Sequence, residues 1–348
     1  MPRYYSGAFS FVVEAKIHPY LSASVLTRRN DLMLFTVRRK APFQYVCARN
    51  MEEELLLPQE PRIEHPRYFL NLSYDGTRYS GWQVQKNSPS VQQTINEAMQ
   101  KLLRQPIRST GCGRTDTGVH AKFFYMHVDV ENGIADIPDF LFRLNCVLPD
   151  DIAIHHIIPV HNRAHARFDA FERTYEYYIY FDKSAYLRRF AAYQGFYLID
   201  WEKVMEATDF LINIQDFTSL CLPSEDFKTN ICYLKHIGWD VLPGHHHVHK
   251  KFEEGWYLNR PNSTPPAQGE VYRFTVTSNR FLRCMIRKIV GTALMVGKNK
   301  ITMNEFKETV LNKETFKLHY LAAPNGLYLS NVKYPYIQEG KLVERVSI

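Results

Sequence analysis

Polar and apolar side chains alternate over residues 68–74, Tyr-Phe-Leu-Asn-Leu-Ser-Tyr, with Leu70 and Leu72 on one face, which predicts a strand. Asp75-Gly76 then predicts a turn. The period lengthens after Ser90: Val91, Ile95, Ala98, Met99, Leu102 and Leu103 form a helical stripe. Ser90 is placed to cap that helix, and Gln93 to complete a capping box. A strand is expected over residues 123–130 and a short helix over 136–147, ended by Leu148-Pro149-Asp150-Asp151. Another strand runs through Ile152, Ile154 and Ile157. Past Arg163, residues 173–181 alternate as a strand with two tyrosine-bearing faces, and Asp200 opens a helix to about Leu211. Residues 271–276 read as a strand. Leu282, Met285, Ile286, Ile289, Val290, Ala293 and Val296 mark a helix that Gly297 can terminate, and Thr302 with Glu305 caps the next. The fold class is therefore α+β, with two similar halves, mixed or antiparallel sheets, and no detectable sequence repeat.

This reading sets the domain organisation. Residues 1–62 lack a clear period and end in acidic, proline-marked sequence; they read as an N-terminal extension, either a targeting segment or a start codon placed too far upstream. Residues 63–162 form a first α+β half, 163–338 a second, and 339–348 a tail. Charge changes the picture only locally. The net charge is +7, from 43 Lys/Arg and 36 Asp/Glu. Residues 1–50 hold eight of those cations against Glu14 and Asp31, leaving 35 basic and 34 acidic side chains in 51–348. A nucleic-acid partner would thus need a local basic lining, not bulk charge. No apolar run reaches the length of a membrane span. The six cysteines are scattered without a CxxC pair, the pattern of free thiols in a reducing compartment. His245, His246, His247 and His249 could bind metal, but their polar, Pro/Gly-bounded setting reads more simply as a loop.

The candidate chemistry centres on Gly113-Arg114-Thr115-Asp116-Thr117-Gly118-Val119-His120-Ala121. Glycines allow positive φ and close backbone approach, so such a turn can hold a carboxylate out toward a substrate beside a guanidinium. It can equally be a tight loop with a surface Arg–Asp pair. Arg283 and Arg287 stand four apart and share a helical face, either as its solvent side or with Arg287 reaching Asp116 or a phosphate. Tyr175 and Phe168 are core residues or surfaces for a nucleobase. Their interleaving with Arg163, Arg167 and Arg173 suits single-stranded RNA, which is gripped by stacking and phosphate contacts.

Taken together, these segments resemble the TruA-type tRNA pseudouridine synthases, in their bacterial branch. The resemblance covers residues 67–334. It rests on Tyr74 to Gln83 (YDGTRYSGWQ), Gly113 to Ala121, Asn145 to Ile152 (NCVLPDDI), His165 to Ala170 (HARFDA), Arg173-Thr174-Tyr175, Phe281 to Thr292 (FLRCMIRKIVGT) and Ala323 to Leu329 (APNGLYL). The bacterial character rests on Asp216 to Ser219 and Lys228 to Cys232. The resemblance implies that Asp116 is the catalytic aspartate, that Arg287 pairs with it, that Tyr175 packs on the target uracil, and that Arg114 assists extrusion of the base. Thr117 and Lys288 depart from the commonest family pattern. Further implications are a cytoplasmic homodimer acting on uridines in the anticodon stem-loop of tRNA across an RNA-binding cleft between the halves, with no cofactor, metal or membrane. A catalytically silent tRNA-binding protein on the same scaffold and a metal-dependent nuclease using Asp116 with the His245 cluster are the rivals.

Overall fold

A computed structural model describes residues 23–29, 32–37, 65–195, 199–223, 229–242, 271–317, 320–338 and 341–342. The His245 cluster, Lys228 and residues 339–340 and 343–348 of the tail lie outside them. By its contacts the chain divides into two units, residues 1–63 and 64–348. In the first, β1 (Ala23–Arg29) and β2 (Leu32–Val37) pair as an antiparallel hairpin.

The second unit is organised by one sheet that runs through both sequence segments. Its strands are β3 (Arg67–Tyr74), β4 (Ser109–Gly111), β5 (His120–Asp129), β6 (Ile152–Val160), β7 (Glu172–Tyr180), β8 (Ala192–Tyr193), β9 (Leu234–Leu242), β10 (Val271–Ser278) and β11 (Leu327–Lys333). The main order is β6-β3-β5-β11-β7-β10-β9, with β4 on β5 and β8 on β7. All the main pairings are antiparallel except β11 with β5. The last strand of this order in sequence, β11, thus joins β5 to β7. The sheet is continuous where the sequence suggested two halves. The short pair β12 (Ile337–Gln338) and β13 (Lys341–Leu342) follows.

Five α-helices form among the described residues, and the one expected from Leu282 starts later, at Met285. They are α1 (Val91–Leu103), α2 (Ile137–Val147), α3 (Trp201–Phe210), α4 (Met285–Gly297) and α5 (Met303–Leu311). Ser90, Asp136, Asp200 and Thr302 each accept a backbone N–H three residues on, satisfying one of the unpaired donors of a helix start. Half of the capping box expected at Ser90 forms: the Gln93 amide donates to Glu97 one turn further instead. Gly297 also differs from expectation. It is the last helical residue of α4, and the left-handed conformation falls at Asn299 (φ 54°). A Cβ on Gly297 would stand 2.4 Å from Val204 Cγ2, so this glycine lets α3 and α4 approach closely.

On β6, the burial of both Ile154 and Ile157 contradicts a strict period of two. Asn71 faces His156 while Leu72 faces Ile154, so His155 is the extra residue of a bulge, and the phase of the strand switches there.

Candidate active site

The Gly113–Ala121 loop enters β5 at its start and is braced from beneath by residues 74–82. The Tyr74 hydroxyl hydrogen-bonds Thr115 Oγ1 at 2.8 Å, Trp82 N donates to the Thr115 carbonyl, and Gly118 N donates to the Tyr79 carbonyl. Trp82 is buried and packs against Phe124 with ring centroids 4.1 Å apart and planes tilted by 31°. Of the two glycines fencing the loop, Gly118 needs its identity (φ 75°), whereas a Cβ on Gly113 would meet nothing within 4 Å. The close approach is made by the partner loop: Gly81 sits at φ 93°, and a Cβ there would lie 2.2 Å from the Thr115 carbonyl. Gly81→Ala is therefore expected to cost about 2 kcal/mol or more. Gly113→Ala should be close to neutral. Chemical denaturation of the two variants measures the contrast, and equal midpoints would refute the bracing role of Gly81.

Asp116 faces the start of α4. Its Oδ2 accepts from Arg287 Nη1 at 3.0 Å, and the two side chains are 34 % and 13 % exposed. Arg287 also donates Nε to the Ala322 carbonyl at 2.7 Å, while its own carbonyl accepts from Ala322 N. The guanidinium is thereby fixed in direction as well as in charge. The helix begins later than its apolar stripe suggested. Cys284 takes φ 57°, α4 starts at Met285, and Arg283 lies outside the helix and is exposed. Arg283 and Arg287 hence do not share a helical face, and Arg287 points inward.

Cys284 is a further neighbour of Asp116 that residue type and spacing did not mark. Its thiol donates to the same Asp116 Oδ2 at 3.2 Å. Burial, then the nearby Asp116 charge, pushes that thiol up to about 11, so it stays protonated and a donor. The available signal was its place three residues before Arg287, inside the quoted block.

Tyr175 lies on β7 between Val276 of β10 and Leu329 of β11, and Leu329 in turn pairs with Ala121. One strand thus separates Tyr175 from the exit of the Asp116 loop, a lateral distance of roughly 10 Å between backbones. Tyr175 is 8 % exposed, its ring packs edge-on to Phe281 at 5.1 Å, and burial pushes its phenol up. Arg114 is exposed at the head of the same loop.

Arg173 and Lys288 turn out to be structural. Arg173 donates to the carbonyls of Cys112, Arg167, Ala170 and Asn279, so its guanidinium is committed to backbone and not to phosphate. Buried Lys288 donates to the carbonyls of Ser219 and Cys221, and burial lowers its ammonium. Leu222 N donates to the Arg283 carbonyl, and the Arg280 side chain reaches the carbonyls of Ile231 and Thr229. Residues 219–222 and 229–231 accordingly prop the turn that carries Cys284.

A glycine-braced loop thus presents a carboxylate, directed by a fixed arginine and a thiol, with a buried tyrosine on a nearby strand. Such a site can supply a nucleophile or a base in a partly dry setting. Comparison with known proteins agrees with this class. A family model described as tRNA pseudouridine synthase matches residues 214–335. A Parabacteroides distasonis protein called tRNA pseudouridine synthase A is 37 % identical over 269 residues, covering 77 % of this chain and 96 % of its own. The Bacteroides thetaiotaomicron protein of that name is 37 % identical, over 77 % of this chain and 91 % of its own, and that of Shewanella piezotolerans 34 %, over 77 % and 93 %. The chain belongs to the tRNA pseudouridine synthase family. None of the described helices is long and apolar enough to cross a membrane.

Proposed function

We propose that this chain isomerises uridine to pseudouridine in the anticodon stem-loop of tRNA, as a cytoplasmic homodimer, with Asp116 as the reacting carboxylate. The observation that carries the reading is the 3.0 Å pairing of Asp116 with Arg287, residues 171 positions apart in the chain. The reaction breaks the C1′–N1 bond of the nucleoside, turns the uracil, and forms a C1′–C5 bond. N1 gains a proton, the C5 proton leaves to solvent, and no electrons are exchanged with a co-reactant. Asp116 either attacks the nucleoside covalently or removes a ribose proton to give a glycal. Arg287 and Cys284 hold its Oδ2, which presents the other oxygen for reaction. Tyr175 offers its ring to the uracil, and Arg114, at the exposed head of the loop, helps to hold the base out of its stack.

The test is tritium release from tRNA labelled at uridine C5, with EDTA present. Robust release is expected. Binding of tRNA without release would overturn the catalytic reading in favour of a silent binder, and release abolished by EDTA would favour metal chemistry. A smaller effect follows from the thiol. Cys284→Ala removes one donor to Asp116 and should lower kcat about fivefold at unchanged KM, the scale of a single weak hydrogen bond. Cys284→Ser should retain most of the rate. Single-turnover kinetics on both variants distinguishes the lost donor from lost packing.

A further inference from the structure

The proposed mechanism leaves one aromatic feature unused. Phe168 is 75 % exposed, yet its ring is not loose: it stacks on the imidazole of His165 with centroids 4.2 Å apart and planes 29° from parallel. The loop beneath is held by its own hydrogen bonds. His165 Nδ1 accepts the backbone N–H groups of Arg167 and Phe168 at 3.1 and 3.2 Å. Asp169 Oδ2 accepts from His165 N at 2.7 Å and from the Tyr336 hydroxyl at 2.6 Å. Burial lowers the His165 imidazole, favouring its neutral form, and the two backbone N–H donors select Nδ1 as its accepting nitrogen. A planar aromatic face is therefore held out to solvent on a rigid support.

Two further observations give this face a partner. The Arg167 guanidinium lies 5.9 Å from the Phe168 ring centroid, and three residues on, Phe171 is 47 % exposed with Lys235 Nζ 5.5 Å from its centroid. Lys235 pairs with Glu172 at 2.6 Å, but Lys333 pairs with the same carboxylate, which leaves that cluster a net positive charge. Exposed rings each accompanied by a cation match a single nucleic-acid strand, which offers a π-face and a phosphate in every nucleotide. Position is fixed by Arg173. Its guanidinium joins the carbonyls of Arg167 and Ala170 to those of Cys112, just before the Asp116 loop, and Asn279, just before the turn carrying Cys284. The Phe168 loop is thereby tied to both segments that supply the site. Leu311, 60 % exposed, is a single apolar side chain of the kind common on protein surfaces and needs no account.

We propose that Phe168, backed by His165, is a stacking site for an unpaired base of the substrate RNA flanking the target uridine. The proposal rests on the tRNA-modifying reading above and adds a contact outside the uracil pocket. Stacking of one base contributes to binding and not to the chemical step, so the variants separate the two. Phe168→Ala should raise the Kd and KM for tRNA about tenfold, with kcat at saturating tRNA and the thermal midpoint unchanged. Phe168→Trp should bind as well as the parent, and its indole fluorescence should be quenched by tRNA. Unchanged tRNA affinity in Phe168→Ala would overturn the proposal, as would an unquenched indole. So would a sedimentation shift of Phe168→Ala to a smaller assembly without tRNA, which would assign the face to a second copy of this chain. Failure of the underlying reading shows separately, as absence of tritium release from the parent protein.

Discussion

Asp116→Asn should abolish tritium release, by at least about a thousandfold, while tRNA binding and the fold are retained. Asparagine is nearly the same shape, and its amide oxygen can still accept from Arg287. What it lacks is a nucleophilic or basic oxygen. Steady-state release and a tRNA-binding titration on the same preparation measure both sides of the prediction. Release at the parent rate would remove Asp116 from the chemistry, whatever the arrangement around it. A variant that binds tRNA poorly and melts early would instead assign Asp116 to the architecture of the loop, which the Tyr74–Thr115 and Trp82–Thr115 hydrogen bonds already hold without it.

Arg287→Ala should lower kcat about 10- to 100-fold, the scale of a lost charge-assisted hydrogen bond to a partly buried carboxylate. KM for tRNA should change little. Arg287→Lys keeps the charge but not the fork that spans Asp116 and the Ala322 carbonyl, so it should fall between the two. The rival role for an arginine in an RNA-binding enzyme is a phosphate contact, and salt separates the two roles. A phosphate-binding arginine lowers the salt dependence of tRNA affinity when removed, whereas one that orients a carboxylate leaves that slope alone. An effect confined to KM with a reduced salt slope would therefore contradict the pairing role.

Local elements were legible because they follow from local rules. The stripe Val91 to Met99, the caps Ser90, Asp136, Asp200 and Thr302, and the alternation of β3 and β7 depend on residues within a few positions of one another. The differences arise where tertiary contact overrides a local pattern. Gly297 read as a helix stop, but its lack of a side chain serves the approach of α3 and α4. Arg173 read as a phosphate contact, but it lies where four backbone carbonyls need donors. Arg283 and Arg287 read as one helical face, but the left-handed Cys284 ends the helical register between them. The bulge at His155 shifted the phase of β6 for the same kind of reason, the pairing with β3.

For the site, the sequence by itself determined which residues were candidates. The glycine-fenced loop around Asp116, the arginines beside the Leu282–Val296 stripe and the tyrosine of the Arg173 strand all stood out by residue type and spacing. Spacing could not say which candidates meet, because a chain can bring distant residues together in many ways and only long-range pairing selects one. Here β11 makes the selection. Set between β5 and β7, it places Ala121, Leu329 and Tyr175 in one row across the sheet, and the turn before α4 then brings Arg287 and Cys284 to Asp116. Which guanidinium faces the carboxylate, and that a thiol shares it, were decided by that strand order.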